Sequence, residues 1–349
     1  MIDLSGAALR KLSVHYVGNK GLGQDIVTSR KPLELSEEDK FTVKDAFLAK
    51  FQQMQELYSF HHLASLDYNE VYNYCLDALA ETKDFHKKSV NIAKHLYEAS
   101  THPKIKPGEL YICLFEGVGV NGALVDAIGI FKTETKTSFF DLEVEDNEIH
   151  GQLKEGIDIS KFDKGCVVLP TNAEKGFDVL IYDSNGRGEE AVFWKETFLS
   201  VQPQANDYYQ TSQFLNLTKQ FIAKQIPEEF DMERTDQIDL LNKSVEYFRA
   251  NESFNKKDFE KNVFGGDTGL VKSFRQYGES YAENNDIDIP DSFSISTPAV
   301  KKQARIFKSV LKLDKNFHIY IHGDRDLIEK GYDAAVGKHY YKIYFEEEN

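Results

Sequence analysis

No stretch of the 349-residue sequence approaches the roughly 18 to 20 consecutive apolar residues of a bilayer-spanning helix, so a helical membrane protein is not expected. The amino terminus, MIDLSGAALRKLSVHYVG, lacks the basic, apolar, small-residue order of a secretory leader. Cysteine is scarce. Cys75, Cys113 and Cys166 stand far apart and cannot all pair, which argues against a secreted disulfide scaffold and suits a reducing cytoplasm. Basic charge is short too: 42 Lys and Arg face 57 Asp and Glu, a formal net charge of −15. A phosphate lattice repels such a chain at long range, so any polyanion site has to be local.

The motifs of common catalytic and nucleotide sites are absent or incomplete. Gly117-Val-Gly-Val-Asn-Gly122 has the letters of a dinucleotide fingerprint and follows a strand. That loop would have to open a helix, yet Leu124 to Phe131 reads as another strand, which makes the glycines a hairpin turn. Gly266-Asp-Thr-Gly-Leu-Val-Lys-Ser273 resembles a P-loop until Val271 stands where glycine is needed, and it follows a helix. A helix C-cap and an interhelical turn are expected there. His318 and His322 have metal-ligand spacing only on a helix, whereas Phe317-His-Ile-Tyr-Ile-His alternates as a strand that sets them roughly 13 Å apart. Asp286-Ile-Asp-Ile-Pro-Asp291 lacks the glycine and distal glutamate of a calcium loop. With no G-x-S-x-G elbow and no cysteine in a nucleophile motif, neither an enzyme nor a metal or cofactor site is expected.

What is present is ample core material. The sequence is 41% apolar, with 25 Phe and 18 Tyr, in a chain longer than one compact domain usually holds. Leu12 to Val17 reads as a short strand. Ser36-Glu-Glu-Asp reads as a capped helix start, with Phe47, Leu48, Phe51, Met54 and Leu57 at helical spacing behind it, and Phe85 to Tyr97 as a second helix. From Pro107 to Tyr182, short apolar or alternating runs separated by Gly, Asn and Asp indicate an antiparallel sheet. Helical periodicity then returns over 207–225, 231–250 and 255–264, broken by Pro227 and by Gly265-Gly266. Thr297-Pro298 starts a short helix to about 305, and strands are expected at 306–313, 317–322 and 339–345. The fold class is α+β: residues 1–205 an antiparallel sheet with helices, 206–283 a helical segment, 284–297 a polar linker, and 298–349 a small β-rich domain.

One block stands out in charge. Residues 298–345 hold 10 basic and 5 acidic residues, while 1–205 hold 22 and 32. Lys301, Lys302, Arg305, Lys308 and Lys312 form the candidate nucleic-acid surface. In the extended part, Lys308 and Lys312 would share one face, with Phe307, Leu311 and Leu313 turned to the core. A merely solvated sheet face fits the same composition, and the nearby Tyr320, Tyr340, Tyr341 and Tyr344 fit a core as well as stacking platforms.

Several long segments carry a resemblance: Val14-His-Tyr-Val-Gly-Asn19, the run Ile92 to Leu110, Ala127-Ile-Gly-Ile-Phe-Lys132, Asp163-Lys-Gly-Cys-Val-Val-Leu169, Asp207-Tyr-Tyr-Gln-Thr211, and the Phe317-His-Ile-Tyr-Ile-His-Gly-Asp end. In these the chain resembles the NdpA-type nucleoid-associated proteins of bacteria. The resemblance implies a cytoplasmic, nucleoid-located protein with affinity for double-stranded DNA and no catalytic residues. It marks no DNA-contacting residue, so the lysine block rests on charge alone. Two readings stay open: a DNA-binding nucleoid component without strong sequence preference, doubled as a homodimer, or an adaptor whose acidic half docks a basic nucleoid protein.

Overall fold

The computed structural model describes residues 2–184, 192–304, 310–321 and 325–347. The chain divides into two units, 1–204 and 205–349. The fold is α+β, with an amino-terminal antiparallel sheet, a helical middle and small carboxy-terminal sheets.

The first unit is built on β1 (Ile2–Asp3), β2 (Ala8–Val17), β3 (Ile26–Thr28), β4 (Tyr58–Phe60), β5 (Gly108–Val120) and β6 (Ala123–Thr133). The ribbon β7 (Thr137–Glu145) and β8 (Glu148–Gly156) follows, then β9 (Lys164–Leu169), β10 (Asp178–Asp183) and β11 (Val201–Pro203). Nine of these strands form one antiparallel sheet in the order β11-β4-β10-β9-β6-β5-β2-β3, with β1 also on β5. Helices α1 (Glu37–Leu48), α2 (Glu70–Ala80) and α3 (Phe85–Ala99) cover it. Leu110, Ile112 and Leu114 of β5 share a core with Val71, Cys75, Ile92 and Leu96 of α2 and α3. The alternate residues Tyr111, Cys113 and Phe115 share a second core with Phe47 and Leu48 of α1. Burial on both faces explains why Leu110 to Phe115 reads as one unbroken apolar run.

Asn121 and Gly122, with φ of 50° and 88°, make the tight turn between β5 and β6, and Gly117 at φ 74° lies where their register shifts. These glycines are thus a hairpin and bulge. On the α1 side, Phe131 stacks on Phe47 with centroids 4.3 Å apart. A Cβ on Gly129 would stand 2.5 Å from the Phe131 ring and 2.6 Å from Phe115, so glycine is what admits both rings.

Ser36 caps α1 as expected, its hydroxyl accepting the Asp39 N–H at 3.1 Å. The helix ends at Leu48, short of the apolar spacing that runs on to Leu57; Phe51 fills the same core from a turn. Helix α2, not among the expected elements, buries Val71, Tyr72, Cys75 and Ala78. It is capped by buried Asn69, whose side chain accepts from Tyr72 N–H and donates to the carbonyls of His61, Leu199 and Ser200. All three cysteines are buried and unpaired, and burial pushes the thiols of Cys113 and Cys166 well up, the opposite of a reactive thiolate.

In the second unit, α4 (Asp207–Gln220) runs through a π-helical turn (Phe221–Gln225) into a last α turn (Ile226–Glu229). Pro227 does not break this helix as expected; it follows directly on the π-helical turn, and the helix ends two residues after it, at Glu229. Helices α5 (Arg234–Ala250), α6 (Lys256–Phe264), α7 (Thr268–Asn285) and α8 (Thr297–Ala304) complete the bundle. Its core is largely phenylalanine, with Phe214 4.1 Å from Phe254 and Phe254 4.6 Å from Phe293. Within 284–297, expected as a linker, strand β13 (Ser292–Ser294) pairs with β12 (Ser253–Asn255) and Phe293 packs on that core. Two ribbons follow, β14 (Val310–Leu313) with β15 (Phe317–Tyr320), and β16 (Ile328–Asp333) with β17 (Lys338–Ile343). Leu311, Ile321 and Ile328 seat them on Ile238 of α5.

Buried His15 accepts the Ser29 N–H at Nδ1 (3.1 Å) and places Nε2 3.0 Å from Ser89 Oγ. Burial, then the charge of His86, lowers its pKa to about 4. An unfolded chain protonates this residue near pH 6.5, so the unfolded state binds more protons and stability falls as pH drops from about 6.5 to 4. Urea unfolding should show about 2 kcal/mol less stability at pH 5 than at pH 7 through this group. A His15→Leu variant should lack that share of the pH dependence; an unchanged slope would contradict the assignment.

Candidate nucleic-acid interface

The lysine block divides between two elements of the second unit. Lys301 and Lys302 stand exposed in the last turn of α8, where cations complement the carbonyl end of the helix. Ala299 and Val300 hold the opposite side of that helix in the core. Lys302 Nζ lies 5.6 Å from the Tyr208 ring centroid. Lys312 is exposed on β14, opposite His318 of β15, while Val310 and Leu311 are buried. Arg305 and Lys308, with Phe307 and His322, lie outside the described residues.

Lys312 has a neighbour that charge along the sequence does not reveal. A cleft of about 580 Å³ is lined by Lys312 with Leu311, Leu313, Tyr341 and Arg234. Arg234 opens α5 and donates to Gln237 Oε1 at 2.8 Å, which fixes its stem beside the β14 strand. A guanidinium and an ammonium on one cleft, with a phenol ring beside them, suit a phosphodiester backbone.

A second basic region lies on α6 and α7. A cleft of about 450 Å³ is lined by Asn255, Lys256, Lys257, Arg275 and Asp291, and a neighbouring one of about 400 Å³ by Lys272 and Arg275 among others. Arg275 belongs to both. Its guanidinium grips buried Glu260 through two hydrogen bonds, Nε to Oε1 at 2.8 Å and a terminal nitrogen to Oε2 at 2.6 Å, and that contact raises its pKa. Asp291 faces Lys256 at 3.4 Å. The carboxylates neutralise much of this patch, so its field is weaker than its lysine count suggests.

The P-loop-like stretch holds no phosphate cradle. Gly265 closes α6 at φ 61°, and the Asp267 carboxylate occupies the start of α7, accepting from Gly269 N–H at 2.8 Å and Leu270 N–H at 3.0 Å. A carboxylate already sits where a phosphate would bind. Among the described residues, no three His, Cys, Asp or Glu side chains converge as metal ligands, and no helix is long and apolar enough to cross a membrane.

A doubly covered antiparallel sheet followed by a helical unit and small two-stranded ribbons defines an α+β protein. The chain belongs to the family of nucleoid-associated protein YejK, also called NdpA, whose model matches residues 13–340. No curated protein matches the chain.

Glu260 is 3% exposed, so removing its partner leaves a carboxylate in the core without its guanidinium. Arg275→Met should lower the stability of the second unit by on the order of 2 kcal/mol, and the double variant Arg275→Met/Glu260→Leu should recover most of it. Chemical denaturation in a double-mutant cycle checks this; independent, additive effects would contradict it.

Proposed function

We propose that this protein is a non-enzymatic, double-stranded DNA-binding component of the nucleoid, meeting phosphates through Lys301, Lys302 and Lys312 with Arg234 beside them. Arg305 and Lys308, in the same stretch of chain, are proposed as further phosphate contacts. The supporting observation is that exposed cations concentrate in the one net-positive segment of an acidic member of a nucleoid-associated family. Lysines on a helix end and a strand contact backbone rather than base edges, so little sequence preference is expected. A homodimer is the binding species, because two weak surfaces at fixed separation raise each other's effective concentration.

Affinity for unrelated duplexes should fall linearly on a log–log plot against salt. The variant Lys301→Ala/Lys302→Ala/Lys312→Ala should weaken all duplexes about equally and reduce the slope by roughly 0.9 for each phosphate no longer neutralised. Fluorescence anisotropy with two duplexes of different sequence reads both. Unchanged affinity in a folded variant would move the DNA-binding surface to Lys256, Lys257 and Lys261; no wild-type binding at low salt would favour the adaptor reading.

A further inference from the structure

The ribbon β7–β8 is unlike the rest of the first unit. Its strands pair with each other over nine residues each, roughly 30 Å of ribbon, and join through Asp146 and Asn147 at φ of 50° and 65°. None of its residues is buried or belongs to either core of the unit.

Its two faces differ sharply. The register sets Phe140 opposite Leu153, Leu142 opposite Gly151 and Val144 opposite Ile149, so these side chains share one face. All five are exposed by 62 to 76%. Gly151 shapes the strip: a Cβ there would meet Leu142 Cδ2 at 2.6 Å, so Leu142 lies across the glycine and keeps the face flat. The other face carries Asp141, Glu143, Glu145 and Glu148, with Lys154 paired to Asp141 and Phe139 near the ribbon's base, while Glu155, opposite Ser138, bounds the apolar strip at that same end.

An isolated two-stranded ribbon is marginal in water, and a continuous apolar strip of this size marks an interaction surface. The strip offers no donor to a phosphate, and the acidic face repels one, so nucleic acid is not its occupant. We propose that the apolar face packs against the same face of a second copy of this chain, antiparallel across a twofold axis.

Three features favour a second copy. The strip is self-complementary: turning one ribbon end for end sets the larger Phe140–Leu153 row over the smaller Val144–Ile149 row, with the two Leu142–Gly151 rows meeting on the axis. Two faces also remove on the order of 1,000 Å² from water, the lower bound of a specific interface. Both acidic faces then point outward into solvent, whereas edge-to-edge pairing would leave the apolar strips wet. The inference deepens the homodimer reading above and is independent of DNA contact.

Sedimentation velocity on the full chain tests it. The wild type should be a dimer at tens of micromolar. Leu142→Glu/Ile149→Glu should raise the dissociation constant by on the order of 100-fold or more, with circular dichroism and melting of the two units unchanged because no core residue is touched. Mild oxidation should link Leu142→Cys chains into disulfide dimers and leave Glu143→Cys chains, on the outward face, unlinked. A dimeric double variant, or equal crosslinking at both positions, would overturn the ribbon interface while leaving the homodimer intact. A monomeric wild type would overturn both, and the salt titration of duplex binding would stand or fall separately.

Discussion

The first unit depends on residues 110–115 of β5 and 127–133 of β6 having no solvent-facing side. Side chains such as Phe115, Ile128 and Phe131, each worth roughly 1.5 to 3 kcal/mol when fully buried, must find partners above and below the same strands. That demand brings α2 and α3 to one face and α1 to the other. It also makes glycine at 108 and 129 a packing requirement: a Cβ on Gly108 would stand 1.8 Å from the Thr133 carbonyl. Where the strands end, polar groups are enclosed as well. Lys132 and Lys164 lie opposite each other on β6 and β9, and each is neutralised by its own buried carboxylate, Glu134 at 2.6 Å and Asp183 at 3.0 Å. Burial lowers the pKa of Lys132, and its ammonium is held by Glu134 and by the Lys106 carbonyl.

Both units are net acidic, with 22 basic against 32 acidic residues in the first and 20 against 25 in the second. The exposed cations of α8 and β14 stand on the second unit. A protein with −15 overall can still approach a polyanion if its negative charges are more than a Debye length, about 8 Å at physiological salt, from the contacting surface. Residues 298–345, with 10 basic against 5 acidic residues, are where the chain departs from its acidic average.

What could be read from the residues followed where signals were local. Ser36 and Gly265 act through their immediate neighbours, and the hairpin at Gly117 to Gly122 is fixed by turn chemistry, so all three were legible. Helix α2 was not among the expected elements although Val71, Cys75 and Ala78 recur at helical spacing behind its Asn69 cap; what only the fold shows is that Asn69 also reaches carbonyls more than a hundred residues away. Strand β8 has only Ile149 and Leu153 as apolar markers and exists through its register with β7. Arg234 and Arg275 are illegible for a related reason: each is a lone cation in a mixed-charge helix, and only the fold sets it beside Lys312 or Lys256.

Hydrogen–deuterium exchange of the full chain, with and without a mixed-sequence duplex at low salt, tests the central claim most directly. The account predicts slower exchange in α8 and the β14–β15 ribbon, reversed by added salt, with the sheet unit unchanged. Protection confined to the sheet unit, or none at a duplex concentration that saturates binding, would contradict it.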